Sequence, residues 1–120
     1  MLKLTNIMPL SQSSKRNITT ENVSGTLEFT CTFMLDDVTD RPWEQELTVT
    51  INVSAVDETG KRTEFMSAQN VYAVSFTEKV DGPSPRLSEA VWPYVRPDII
   101  GYFHTYSLPA DTVPICGASD

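Results

Sequence analysis

Two stretches of the chain alternate cleanly between apolar and polar residues. From Thr26 to Leu35, one face carries Leu27, Phe29, Cys31, Phe33 and Leu35, and the other Glu28, Thr30, Thr32 and Met34. From Glu46 to Val56, Leu47, Val49, Ile51, Val53 and Ala55 alternate with Thr48, Thr50, Asn52 and Ser54. A period of two with β-branched residues predicts strands with one face in the core. Asp57-Glu58-Thr59-Gly60 then predicts a hairpin turn, with glycine where a positive φ is easiest. The returning strand spans Lys61 to Val80. There Thr63, Phe65 and Ser67 share one face and the stronger apolar set, Met66, Ala68, Tyr72, Val74 and Phe76, the other, and a bulge or a change in which surface is buried is expected around Gln69-Asn70.

The period changes at Val91. Val91, Val95, Ile99, Tyr102 and Tyr106 follow in steps of four, four, three and four, the spacing of one helical face. Ser88 is the expected N-cap and Glu89 the first-turn acid, while Pro97 is expected to kink the helix, which should end near Tyr106. Trp92, Ile100 and Phe103 project from other sides, so this helix needs cover on two faces. Its own sheet supplies one, and a partner subunit is expected to supply the other. Upstream, Leu2 to Leu10 reads as an edge strand and Ser11 to Asn17 as a loop. Asp36 to Pro42 and Asp81 to Pro85 read as breaks. After the helix, Leu108 to Ile115 is expected to lie extended on the core and Gly117 to Asp120 to fray. Strands followed by a helix give an α+β fold, a four-stranded antiparallel sheet with one main helix on it. At 120 residues it is expected to form one domain, residues 1–120.

Composition narrows the classes. A net charge of -7 argues against a nucleic-acid partner, whose affinity rests on neutralised phosphates. No run approaches the ~20 apolar residues of a membrane span, so no membrane insertion is expected. The start, Met1 to Asn6, lacks a basic segment followed by an apolar one, and a cytoplasmic location is the expectation. Three glycosylation patterns, at Asn17, Asn22 and Asn52, are then chance matches. The two cysteines, Cys31 and Cys116, are far apart and read as reduced thiols, Cys31 as a small core hydrophobe.

No pattern of catalytic residues emerges. The single histidine, His104, sits in an aromatic helical run without a spaced nucleophile or acid. Asp36 and Asp37 read as solvated loop acids, the five glycines make no phosphate loop, and no cluster suggests a metal site. The expectation is a protein that is not an enzyme and uses no cofactor. What stands out is aromatic surface that one small sheet and one helix cannot hide. Trp43, Tyr72, Phe76, Trp92, Tyr94 and Phe103 are the candidates for substrate or subunit contact, with plain core packing as the alternative for each. If Pro93-Tyr94 anchors the helix, Tyr94 belongs to that core.

Val91-Trp92-Pro93-Tyr94-Val95-Arg96 resembles the aromatic-Pro-Tyr-x-Arg motif that opens the main helix of the SecB export-chaperone family. A long hairpin before it and a proline-marked extended stretch after it, Leu108-Pro109 through Val113-Pro114, are similar to the family's layout. The resemblance implies a tetramer built as a dimer of dimers, helices sandwiched between sheets. It also implies an ATP-independent holdase that binds unfolded polypeptides, for export or for one dedicated client such as an antitoxin. A structural subunit binding one folded partner is the rival reading. The chain departs from the family in two places. The family's second helix and acidic tail, which engages SecA, would follow the point where this chain stops at Asp120. In addition, Thr77-Glu78-Lys79-Val80 replaces its glycine-rich, aromatic strand end. The resemblance therefore implies a divergent, SecB-like protein whose contact with SecA is open.

Overall fold

A computed structural model describes residues 2–17, 26–109 and 113. It contains β1 (Leu4–Arg16), β2 (Thr26–Asp37), β3 (Gln45–Val56), β4 (Arg62–Phe76) and α1 (Pro85–Thr105). The strands form one sheet in the order β1-β4-β3-β2, with every neighbouring pair antiparallel. The expected four-stranded sheet and single main helix are thus present.

The core lies between the sheet and α1. Leu47, Val49, Ile51 and Val53 of β3 and Met66, Ala68, Tyr72 and Val74 of β4 are buried on one face, against Leu87, Val91, Trp92, Val95, Ile99 and Phe103. Burial of this kind contributes roughly 1.5–3 kcal/mol per large apolar side chain. The β3–β4 turn forms where expected. Asp57 Oδ1 accepts hydrogen bonds from the backbone N–H groups of Thr59 (2.9 Å) and Lys61 (2.9 Å) and from Thr59 Oγ1 (2.6 Å). Gly60 takes φ 87°, open to glycine at little cost.

Four expectations need correction. First, β1 does not end at Leu10, because Ser11 to Arg16 continue it along β4. Register shifts between Leu4 and Asn6 and between Pro9 and Ser11 break the period of two, and an edge strand over a solvated face needs few apolar residues. Second, the β4 bulge is at Phe65, skipped between the pairs Ser54–Glu64 and Val53–Met66, whereas Gln69 and Asn70 pair regularly. Phe65 is buried with the Arg16 guanidinium 4.7 Å above its ring. Third, β4 stops at Phe76, leaving Thr77 to Val80 outside it.

Fourth, the helix begins one turn earlier than expected. Ser84, extended at φ -160°, is the N-cap and accepts from Leu87 N–H at 3.2 Å, with Pro85 at the first helical position. Ser88 lies inside the helix and the first turn holds no acid. α1 runs unbroken through Pro93 and Pro97. Both prolines are exposed, so the carbonyls they leave unpaired face water. The helix closes in a Schellman arrangement. Ser107, at φ 57°, donates to His104 O (3.2 Å) and Leu108 N–H to Phe103 O (2.7 Å), and Leu108 and Phe103 are both buried. The expected end near Tyr106 agrees with this. Of the expected extended stretch Leu108 to Ile115, Leu108, Pro109 and Val113 are described, with Leu108 and Val113 buried, while its other residues and Cys116 lie outside the described residues.

Candidate functional site

The six aromatic candidates do not form one surface. Tyr72, Trp92 and Phe103 are fully buried between sheet and helix. The Tyr72 hydroxyl donates to Asp98 Oδ2 (2.7 Å) and accepts from Asn70 Nδ2 (2.9 Å), and the Tyr102 hydroxyl donates to Asn70 Oδ1. This line of side chains satisfies Asn70, a buried polar residue at the helix–sheet joint. Burial pushes the Tyr72 hydroxyl well above the ordinary tyrosine range, and Asp98 adds to the shift. Tyr102 moves the same way, again chiefly through burial. Phe76 is half-buried at the end of β4. It lines an open cleft of 490 Å³ with Asp37, Glu44, Gln45 and Glu78. Trp43 is half-buried in the β2–β3 connection, where its Nε1 donates to Glu46 Oε2 at 2.9 Å. Tyr94 is 53% exposed, so the motif's tyrosine is not a core anchor here.

The larger unpartnered surface is the flank formed by β2. Its apolar residues Leu27, Phe29, Phe33 and Leu35 face the helix layer beside the buried Ala55, Val53, Val49 and Leu47, their partners in register. The β3 residues are fully covered, but the four β2 residues are only partly buried. Phe29 reaches the helix, edge-on to Phe103 at 5.9 Å. Among the described residues, the β3 and β4 side chains facing α1 are buried, and Leu27, Phe29, Phe33 and Leu35 form a partly buried apolar shelf along β2. On the opposite face Met34 is 58% exposed among Thr30, Thr32 and Thr48.

The two sheet edges differ in kind. β1 carries Pro9, two register shifts and the basic pair Lys15-Arg16, devices that discourage further pairing. β2 is regular for twelve residues and has no proline, lysine or arginine. Its backbone can be assigned. Val38 N–H donates to Glu44 O at 2.9 Å, closing the β2–β3 hairpin with a hydrogen-bonded pair. Such pairs alternate along an antiparallel ladder. In the register observed, even-numbered β2 residues therefore bond to β3. The N–H and C=O groups of Leu27, Phe29, Phe33, Leu35 and Asp37 point away from β3 and pair with no other strand among the described residues. The far end is acidic, with Asp36, Asp37, Asp40, Glu44 and Glu46 around one cation, Arg41, whose Nε lies 3.4 Å from Glu46 Oε2.

Among the described residues, no nucleophile, base and acid are brought together as in a reaction centre. His104 is exposed on the helix, and the described residues hold no group of three or more potential metal ligands. No described helix is long and apolar enough to cross a membrane. The shelf was missed in the sequence because Leu27 to Leu35 alternate as well as any central strand. Only strand order makes β2 an edge.

No protein-family model and no curated protein matches the chain. Among solved structures it is similar to the SecB-like chaperone Rv1957 of Mycobacterium tuberculosis, determined in complex with a ChAD peptide from the HigA1 antitoxin, Rv1956. The match covers 99% of this chain and 93% of that one, with a TM-score of 0.56 and 12% identity. The fold is SecB-like, as the motif at Trp92-Pro93-Tyr94 implied, and its sequence has diverged far from this neighbour.

Proposed function

We propose that this protein is an ATP-independent, holdase-type chaperone that binds extended, non-native polypeptide segments along the β2 flank. The observation that carries this reading is the shelf of Leu27, Phe29, Phe33 and Leu35, only partly buried beside the helix on a SecB-like fold. An apolar strip bordered by free backbone groups suits a chain that presents alternate side chains and unpaired amides. A folded client hides both, so the shelf discriminates in favour of unfolded chains. The acidic surface, with a net charge of -7, keeps the holdase soluble and disfavours acidic segments. The neighbour's bound antitoxin peptide supports a dedicated client of that kind. A cytoplasmic, homo-oligomeric protein serving one client or export fits this reading, with SecA contact left to experiment.

The test is capture of a chemically unfolded protein diluted from denaturant, followed by light scattering and native mass spectrometry. Suppressed aggregation with a stable complex, and none with the native substrate, is expected. Phe33→Ser with Leu35→Ser should weaken capture about tenfold or more, since each lost apolar contact is worth roughly 1–2 kcal/mol. Binding to one folded protein alone would replace the chaperone reading with that of an interaction subunit.

A further inference from the structure

We infer that Asn70, Tyr72, Asp98 and Tyr102 act as positioning residues for the client surface: their hydrogen bonds hold α1 toward the β1 side of the sheet and so keep the β2 shelf open. That the shelf receives the client is the function proposed above, and the inference rests on it. Two bonds of the line cross from sheet to helix. The Tyr72 hydroxyl on β4 donates to Asp98 Oδ2 at 2.7 Å, and the Tyr102 hydroxyl on α1 donates to Asn70 Oδ1. Within β4, Asn70 Nδ2 donates to the Tyr72 hydroxyl at 2.9 Å and joins the two. A further bond, 2.8 Å long, links the Tyr106 hydroxyl to Ser14 Oγ of β1. More of the α1 backbone lies within 8 Å of β1 than of any other strand. The helix is thus offset toward one edge of the sheet.

Apolar burial does not explain that offset. Beside Asn70, Ala68 and Met66, β1 presents Gln12, Ser14 and Arg16 to the helix side. Beside Val53, Val49 and Leu47, β2 presents Phe29, Phe33 and Leu35, all only partly buried. A helix placed by apolar contact alone gains more over β2, where Phe29 already meets Phe103 edge-on at 5.9 Å. The polar line opposes that move. Apolar packing is non-directional and tolerates a sideways slide, whereas these bonds form at one helix position. A slide toward β2 strips Asn70, the one buried polar residue among the described residues, of its helix partner. An orphaned buried amide costs more than a typical bond returns.

Asn70 and Tyr72 are buried, so they act on a client only through the position of the helix. Replacing Asn70, Tyr72 and Tyr102 together with apolar side chains removes donors and acceptors as a set. That is milder than orphaning one of them. Asp98 is half-buried and can turn to water. The fold should survive such a change, and the helix should then follow the apolar gradient across the sheet.

Two distances read the helix position without any client. In a chain otherwise free of cysteine (Cys31→Ala, Cys116→Ala), spin labels go on exposed sites: His104→Cys with Thr32→Cys on β2, and His104→Cys with Ser13→Cys on β1. Adding Asn70→Leu, Tyr72→Phe and Tyr102→Phe should shorten the first distance and lengthen the second, by up to one strand spacing, about 4.8 Å. The same triple variant, unlabelled, should capture unfolded protein about tenfold more weakly as the shelf is covered. Tyr102→Phe alone cuts one crossing bond. It should move both distances the same way by less and weaken capture roughly threefold, and it decides the outcome if the triple variant does not fold. Ser84→Ala weakens the other end of the helix and should leave distances and capture as they are. Unchanged distances in a folded triple variant overturn the proposal, as does an equal loss of capture in Ser84→Ala. Displaced distances with undiminished capture overturn the role in client binding. If the unaltered protein captures nothing, the chaperone reading falls, and the distances alone decide whether the polar line positions the helix.

Discussion

The Tyr72 hydroxyl joins the sheet to the helix and gives the fold a pH dependence. It bridges Asn70 and Asp98 in a buried joint, and burial raises its pKa. A raised folded-state value contributes stability below the unfolded tyrosine's pKa and loses it as pH rises beyond that point. Stability should therefore fall above about pH 10, where the unfolded chain ionises and the folded one resists. Denaturant titrations on either side of that pH should show the fall, and Tyr72→Phe should flatten it. At neutral pH the same variant should lose about 1–3 kcal/mol, since Asn70 and Asp98 lose a partner. The Trp92-Pro93-Tyr94 motif contains an opposite pair. Trp92→Ala should destabilise by roughly 3–5 kcal/mol. Tyr94→Ala should change stability by less than about 0.5 kcal/mol, because its ring is in water. Chemical denaturation of the two variants decides this. The sequence marked both as aromatic and could not rank them, because burial depends on which helix face meets the sheet.

At the scale of elements, ends and breaks were the least legible. Apolar spacing placed β2, β3 and the β3–β4 turn within a residue or two, since local chemistry alone decides them. It placed the helix start at Ser88, because a serine before an apolar run and an acid after it fit a capping pattern. Ser84 wins because it is extended and is followed by Pro85, whose fixed φ starts the helix and whose missing N–H would have no partner there. Ser84→Ala should therefore lose about 1 kcal/mol of stability, and Ser88→Ala only a few tenths, as thermal melts of both variants will show. The helix C-terminus falls near Tyr106 as expected, with Ser107 rather than a glycine in the left-handed position. The continuation of β1 through Ser11 to Arg16 had no apolar signal, since its partner β4 supplies the hydrogen bonds.

At the scale of the molecule, one layer of helix is laid on a sheet wider than it can cover. The radius of gyration, 15.5 Å, exceeds the roughly 14 Å of a compact chain of this length, and the principal extents are 46 × 27 × 21 Å. A thin two-layer body leaves apolar side chains at its margin, here the β2 shelf. That is the physical reason for expecting a partner, whether a client or a second copy. Mass in solution and client capture probe the two separately.

The sequence by itself determined the periods. Two clean strands, a hairpin turn and a helix follow from residue type and spacing, which are local. The motif at Trp92-Pro93-Tyr94 added the SecB resemblance to the α+β fold class. Tertiary structure alone decided which strand became an edge, that Tyr72 and Phe103 are core while Phe29 and Phe33 are half-open, and where the bulge at Phe65 lies. Those outcomes depend on strand order and on how far one helix reaches across four strands, which are long-range facts.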